Sequence, residues 1–229
     1  MTKQHLKRLA SPKSWSIKKK NITFTTRPNP GPHKLSLQMP ITLILRDLLN
    51  VAKTTKEVKF ILKNKSCLID GSVCHDYRRP AGLMDVISIS SINAYYRMLI
   101  NAKNKLYLVP ISKEESSFKL VKVSSKTNLK GGKIQLNFSD GRNMLIENIK
   151  KYSIGDTLKI NLPDQKILEH YPCTSGASVI LTSGTHVGEL GNIKESKDSI
   201  ITIQTENGEF TTKKHFAFVV GKTKPVITL

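Results

Sequence analysis

Residues 41–73 read ITLILRDLLNVAKTTKEVKFILKNKSCLIDGSV, and two periodicities meet inside this stretch. Leu45, Leu48, Leu49 and Ala52 recur at helical spacing with Thr42 placed to cap the start, which predicts a first amphipathic helix over about 42–53. Thr55 is placed to cap a second helix, in which Val58, Ile61 and Leu62 share one face, Lys56, Lys59 and Lys63 point elsewhere, and Asn64 ends the run. The period then shortens. Ser66 to Ile69, the turn Asp70-Gly71 and Ser72-Val73 predict two short strands joined where the backbone tolerates positive φ. Asp85 to Ile89 adds another strand, so the expected unit is two helices against a small sheet.

Downstream, from about Tyr95, the texture is β. Leu106 to Ile111, Phe118 to Val123, Lys133 to Phe138 and Thr157 to Asn161 alternate or run apolar, with Asp140-Gly141 and Gly155-Asp156 as turns between them. A small barrel-like central domain is the economical reading. Ser178 to Ser183, Glu189 to Ile193, Ile200 to Thr205, Glu209 to Thr212 and Phe216 to Val220 then predict five short strands and a second small barrel. Gly184, Gly188 and Gly191 mark its corners, or else a loop presenting backbone to a partner.

Upstream, residues 1–46 hold ten Lys/Arg and no Asp/Glu. So much charge on so little apolar material predicts a segment that stays extended or disordered until phosphates neutralise it. Trp15, Phe24 and the rigid run Arg27-Pro28-Asn29-Pro30-Gly31-Pro32 favour docking into a surface over an idle tail.

The whole chain, 229 residues, carries 37 Lys/Arg against 17 Asp/Glu, a formal charge of +20 that a polyanion would neutralise. Nucleic acid is the expected partner. A membrane is not, because no run approaches the ~18 apolar residues of a spanning helix. Hydrophobic residues at 38% and aromatics at 6% suit modest cores rather than a large enzyme-like interior. Cys67, Cys74 and Cys173 are too few and too unevenly spaced for a disulfide framework or a paired-cysteine zinc site, which points to a reducing, intracellular compartment. The basic N-terminus lacks a secretory apolar stretch, and Pro12, Pro28, Pro30 and Pro32 interrupt any transit helix.

Catalytic patterns are not found. Lys130-Gly131-Gly132-Lys133 resembles a phosphate-cradling loop only in composition, and there is no G-x-G-x-x-G, H-E-x-x-H or G-x-S-x-G. Cys67 and Cys74 with His75 fit no common zinc spacing, and His5, His33, His170, His186 and His215 are scattered. The expectation is no catalytic residue, no metal and no cofactor.

With these motifs in order, the chain resembles the ribosomal protein S-four-e family of the small subunit, in its shorter archaeal form. His5-Leu6-Lys7-Arg8-Leu9-Ala10-Ser11-Pro12 with Trp15, and Arg27-Pro28-Asn29-Pro30-Gly31-Pro32-His33-Lys34-Leu35, are similar to its N-terminal signatures. Arg46-Asp47-Leu48-Leu49 through Pro80 and Gly82-Leu83-Met84-Asp85-Val86-Ile87-Ser88-Ile89 resemble its RNA-binding module. Gly131-Gly132-Lys133-Ile134-Gln135-Leu136, Asp140-Gly141-Arg142-Asn143 and Gly155-Asp156-Thr157-Leu158 look like its central β domain, and Val179 to Ile193 like a KOW motif.

The resemblance implies an α+β, mostly β chain: a basic N-terminal extension (1–36), a small S-four-like α/β RNA-binding module (37–94), a central β domain (95–172) and a C-terminal SH3-like KOW barrel (173–229). It implies a cytoplasmic, ribosomal, non-enzymatic protein that binds small-subunit ribosomal RNA beside neighbouring ribosomal proteins. Residue chemistry agrees, since cationic side chains on an arm follow phosphates while a preformed module reads RNA shape. Candidate phosphate contacts are Lys3, Lys7, Arg8, Lys13, Lys18, Lys19, Lys20, Arg27 and Lys34 from the arm, with Trp15 and His33 as stacking groups. Arg46, Lys53, Lys56, Lys59, Lys63, Arg78 and Arg79 are the candidates from the module. The alternatives are a subunit of an RNA-modifying enzyme and a KOW-type transcription or translation regulator.

Overall fold

The computed structural model describes residues 5–20, 22–130, 133–146, 152–197, 199–205 and 208–229. The chain divides into two compact units, residues 1–99 with 105–117, and residues 100–104 with 118–229.

In the first unit the arm is folded. Strand β1 (Leu6–Lys7) pairs antiparallel with β2 (Phe24–Thr25). The Trp15 side chain is fully buried and its Nε1–H donates to the Gln38 carbonyl at 2.7 Å, in strand β3 (Gln38–Pro40). β3 pairs with β6 (Pro80–Gly82). Two close approaches dock the Pro-Gly-Pro run there. A Cβ on Gly31 would lie 2.4 Å from the Pro80 ring, and a Cβ on Gly82 would lie 2.3 Å from the His33 ring. The expectation of an arm left extended until RNA arrives is therefore corrected: averaged composition hides one large apolar anchor whose neighbours find backbone partners.

The first helix is shorter than its apolar spacing suggests. One α turn, α1 (Ile41–Leu43), widens into a π-type turn over Ile44–Leu48, where the Leu49 N–H donates to Ile44 O at 2.9 Å. Pro40 precedes it. Thr42 is not the cap, for its hydroxyl donates to Tyr77 O at 2.6 Å. Helix α2 (Thr55–Lys63) is capped one residue earlier than expected, by Thr54 and not Thr55: Thr54 Oγ1 accepts from the Glu57 N–H at 3.2 Å, while Glu57 Oε2 accepts from the Lys53 N–H at 2.7 Å, a reciprocal capping arrangement. Val58 and Leu62 are buried, and the helix ends at Asn64 as expected.

Strands β4 (Cys67–Ile69) and β5 (Ser72–Val73) form the expected hairpin, with Asp70 and Gly71 at φ of 51° and 76°. With β7 (Val86–Ile89), β8 (Ala94–Ile100) and β9 (Leu106–Pro110) they make a five-stranded sheet in the order β5-β4-β7-β8-β9. The boundary expected at residue 95 is thus displaced. β8 and β9 extend the module's sheet, because Val86–Ile89 pairs directly with Ala94–Arg97 across a four-residue connection.

The second unit holds two five-stranded antiparallel sheets. In the first, β10 (Phe118–Asn128), β11 (Ile134–Phe138), β12 (Asn143–Ile146), β13 (Thr157–Asn161) and β14 (Ile167–Tyr171) are ordered β12-β11-β10-β13-β14. Their alternation sends Val121, Val123, Leu136, Phe138, Leu158 and Ile160 into one core with Tyr152. Met144, Ile146 and Ile167 complete it, so all five strands face one cluster, helped by register breaks at Val123/Ser125 and Lys159/Ile160 that bend their strands. In the second sheet, β15 (Ser178–Leu181), β16 (Leu190–Lys197), β17 (Ile200–Thr205), β18 (Gly208–Lys213) and β19 (Ala217–Gly221) are ordered β18-β17-β16-β15-β19. β15 and β19 are buried along their length, and β19 packs on β10, β13 and β14.

Candidate nucleic-acid interface

Charge is unevenly divided. Residues 1–117 hold 21 Lys/Arg against 7 Asp/Glu, and residues 118–229 hold 16 against 10. In the first unit most of the acids are engaged by local structure. Asp47 accepts from Arg8 Nη2 at 2.9 Å and from Arg46 Nε at 2.7 Å. Burial pushes its carboxyl up, but the hydrogen bonds from Arg46 and Arg8 outweigh this and hold it below the usual carboxylate range. Asp70 Oδ1 accepts the Val86 N–H, Asp85 binds His33 Nε2 and the Gly82 N–H, and Asp76 binds the Asn29 side chain and the Arg78 N–H. Glu57 caps α2, and Glu115 pairs with the buried Arg97.

The cations divide accordingly. Lys7, Lys13, Lys18, Lys20, Lys34, Lys53, Lys56, Lys59 and Lys63 are exposed, and none of them forms an ion pair with a described carboxylate. Arg27 is also exposed. Lys3 lies outside the described residues. Several candidates serve the fold instead. Arg8 is 3% exposed and tied to Asp47. Lys19 donates to Ser11 O at 2.7 Å, to Ser11 Oγ at 2.6 Å and to Pro12 O at 3.2 Å, and burial with the nearby charges of Lys105 and Arg8 lowers its pKa. Arg46 grips Asp47 through two nitrogens, and Arg79 Nη1 donates to Val73 O at 3.0 Å.

The two stacking candidates are corrected. Trp15 is an anchor of the core, and the His33 side chain is only 6% exposed, sealed between Gly82 and Asp85. A single tryptophan in a cationic segment reads as a stacking group; three-dimensional packing makes it the residue that holds the segment down. Sequence reasoning also missed Tyr77. Lys59 Nζ lies 4.5 Å above its ring, and the Arg78 guanidinium 5.5 Å from it with Nε donating to its hydroxyl at 3.1 Å. No local signal joins positions 59 and 77; only the fold does.

The second unit is differently built. Lys122 donates to Ala217 O, His215 O and Lys214 O at 2.5, 2.9 and 3.4 Å, fastening the two sheets together. Burial drives its pKa down to about 8. Glycines of the last sheet have packing duties. A Cβ on Gly188 would sit 2.2 Å from the Asn101 backbone, and one on Gly191 2.5 Å from Ile203.

Among the described residues no group of three or more His, Cys, Asp or Glu side chains converges. Burial pushes the Cys67 and Cys74 thiols up to about 12 and about 11, far from the thiolate that metal binding or nucleophilic chemistry needs. No described helix is long and apolar enough to cross a membrane.

The profile of the ribosomal family S4e matches residues 92–167, and that of the RS4NT (NUC023) domain matches residues 2–36. The chain is 42% identical over 234 residues to the small ribosomal subunit protein eS4 of Methanosphaera stadtmanae, covering 100% of this chain and 96% of that one. It is 41% identical over 240 residues to the eS4 protein of Methanocaldococcus jannaschii, covering 99% and 98%. The crystal structure of the 30S ribosomal protein S4e from Thermoplasma acidophilum superposes with a TM-score of 0.70 at 32% identity, covering 82% of this chain and 96% of that one. The chain belongs to the ribosomal protein S4e family.

Proposed function

We propose that this protein is a structural constituent of the small ribosomal subunit that binds ribosomal RNA through the cationic face of its first unit. The observation that carries the reading is the inward use of acid: six of the seven carboxylates in residues 1–117 take part in caps, turns or buried ion pairs, while the nine candidate lysines named above stand exposed with no described carboxylate partner. A surface so arranged attracts phosphates and releases their counterions on binding. The contacts proposed are Lys7, Lys13, Lys18, Lys20, Arg27 and Lys34 from the arm, and Lys53, Lys56, Lys59, Lys63 and Arg78 from the module. The mechanism is positioning rather than turnover, since the family is one of ribosomal proteins and not of enzymes.

The same reading assigns the arm and the region from residue 37 through β9 to an S-four-like module, residues 118–172 to the central domain, and residues 173–229 to a KOW-type barrel available to neighbouring ribosomal proteins. Five short antiparallel strands with glycine-dependent corners support the last assignment.

The test is binding of small-subunit ribosomal RNA fragments over a salt series. Charge-neutral substitution is the right perturbation, because removing residues 1–36 would take Trp15 out of the core. Replacing Lys7, Lys13, Lys18 and Lys20 by Gln is expected to flatten the logarithmic salt slope by about 3, at ~0.7–0.9 per lost phosphate contact. An unchanged slope refutes the role of the arm.

A further inference from the structure

Helix α2 has a second surface that its core duties do not explain. Val58 and Leu62 are buried and Ile61 half-buried, so the inner face is already apolar. Phe60 points the other way and is 66% exposed. Singly exposed apolar side chains are ordinary on proteins. What distinguishes Phe60 is its company. Lys56 stands four residues before it and Lys63 three residues after, the spacings that bring side chains onto one helix face, and Lys59 is adjacent.

Lys59 is held near by the Tyr77 ring, which also carries Arg78, whereas among the described residues no cation or aromatic ring covers Phe60 itself. The result is a bare aromatic face about midway along a cationic stripe that spans roughly 10 Å of helix. An apolar protein partner would have to bury these lysines, and no described carboxylate neutralises them. An unpaired nucleotide satisfies both halves at once: its base covers the ring, and the flanking phosphates meet the ammonium groups. Base–aromatic stacking of this kind is the usual device for unpaired nucleotides.

We propose that Phe60 is the base-stacking residue of the RNA interface, taking an unpaired base on its ring while Lys56, Lys59 and Lys63 hold the phosphates on either side. This rests on the reading that the first unit binds RNA, and the two are separable. Phe60→Ala removes no charge and, being on an exposed helix position, no core. It is expected to weaken binding to a structured small-subunit RNA fragment by about 5- to 150-fold, the equivalent of one stacked base, with the salt slope unchanged. Phe60→Trp is expected to retain affinity, and its added emission, separate from that of buried Trp15, to be quenched on binding. A fully paired RNA duplex is expected to show no dependence on Phe60.

Replacing Lys56, Lys59 and Lys63 by Gln reports on the underlying reading through the slope. If that triple variant flattens the slope while Phe60→Ala binds like the parent, the stacking role is overturned and the RNA reading stands. If neither variant changes anything, the stacking role and the part of α2 in RNA binding both fall, and the RNA reading then rests on the arm variant alone. Loss of assembly into subunits by Phe60→Ala with RNA affinity intact assigns the side chain to a protein neighbour and overturns the proposal.

Discussion

Replacing Trp15 by Ala tests whether the arm is part of the fold. Its side chain is fully buried, and its Nε1–H supplies a hydrogen bond to the Gln38 carbonyl, a residue itself only 5% exposed. Emptying such a site typically costs about 3–5 kcal/mol, and the orphaned carbonyl adds about 1 kcal/mol. Domains of this size hold only about 5–15 kcal/mol in all, so a large share of the unit's stability is at stake.

Amide hydrogen exchange at Leu106 gives a local reading, since its N–H is bound to Ser14 O at 2.8 Å. Where exchange proceeds through unfolding of this unit, the expected acceleration is roughly three to four orders of magnitude. Tryptic cleavage at Lys13 and Lys18 should quicken in parallel. Phe in place of Trp15 keeps most of the bulk and loses the donor, for an expected cost of about 1–2 kcal/mol. If Trp15→Ala costs less than about 1 kcal/mol and cleavage is unchanged, the arm is not anchored and the reasoning fails.

Lys122 has a folded-state pKa of about 8 against an ordinary 10.5, so between those values the unfolded chain binds more protons and stability rises with pH, the penalty being fully present below 8. The difference, at most about 3 kcal/mol, is expected to vanish in Lys122→Met, and an Nζ signal titrating near 10.5 in NMR would refute it. Gly188→Ala drives a methyl into the Asn101 backbone at φ of +80°, whereas Gly176 at φ of +86° has nothing within 4 Å of the same position. Calorimetry should show Gly176→Ala costing only the backbone strain, about 1–2 kcal/mol, and Gly188→Ala distinctly more; equal losses would contradict the packing role.

Strands with a clean alternation were the legible part of the fold. Thr157–Asn161 and Ile200–Thr205 have the bounds that their sequence predicts. Asn143–Ile146 and Ile167–Tyr171 escaped notice because they are edge strands, with only one neighbour and weakly patterned burial. The first helix was over-extended since Leu45, Leu48, Leu49 and Ala52 keep their spacing through a π-type turn that periodicity cannot distinguish. For the interface, charge located the unit but not the working side chains. Arg8, Lys19 and Arg79 look like phosphate ligands in sequence, yet each is occupied by a partner that only folding supplies. Nothing in the sequence singles out Phe60, because its exposure is invisible until the opposite face of the helix is packed.

The anchoring of Trp15 and its neighbours has a consequence in time. Ser16 Oγ donates to Leu106 O across a separation of 90 residues, and the Leu106 N–H returns a bond to Ser14. Residues made some ninety positions earlier are therefore among the last of their unit to be fixed. At ~5–20 residues per second of synthesis, the cationic arm is unfastened for several seconds after it appears, long enough to meet RNA before it meets its own fold. Chains stalled short of residue 106 should leave Trp15 open to quenchers, while chains stalled well past 117 should protect it. Protection already present in the shorter chains would show that the arm closes without waiting for the strand that receives it.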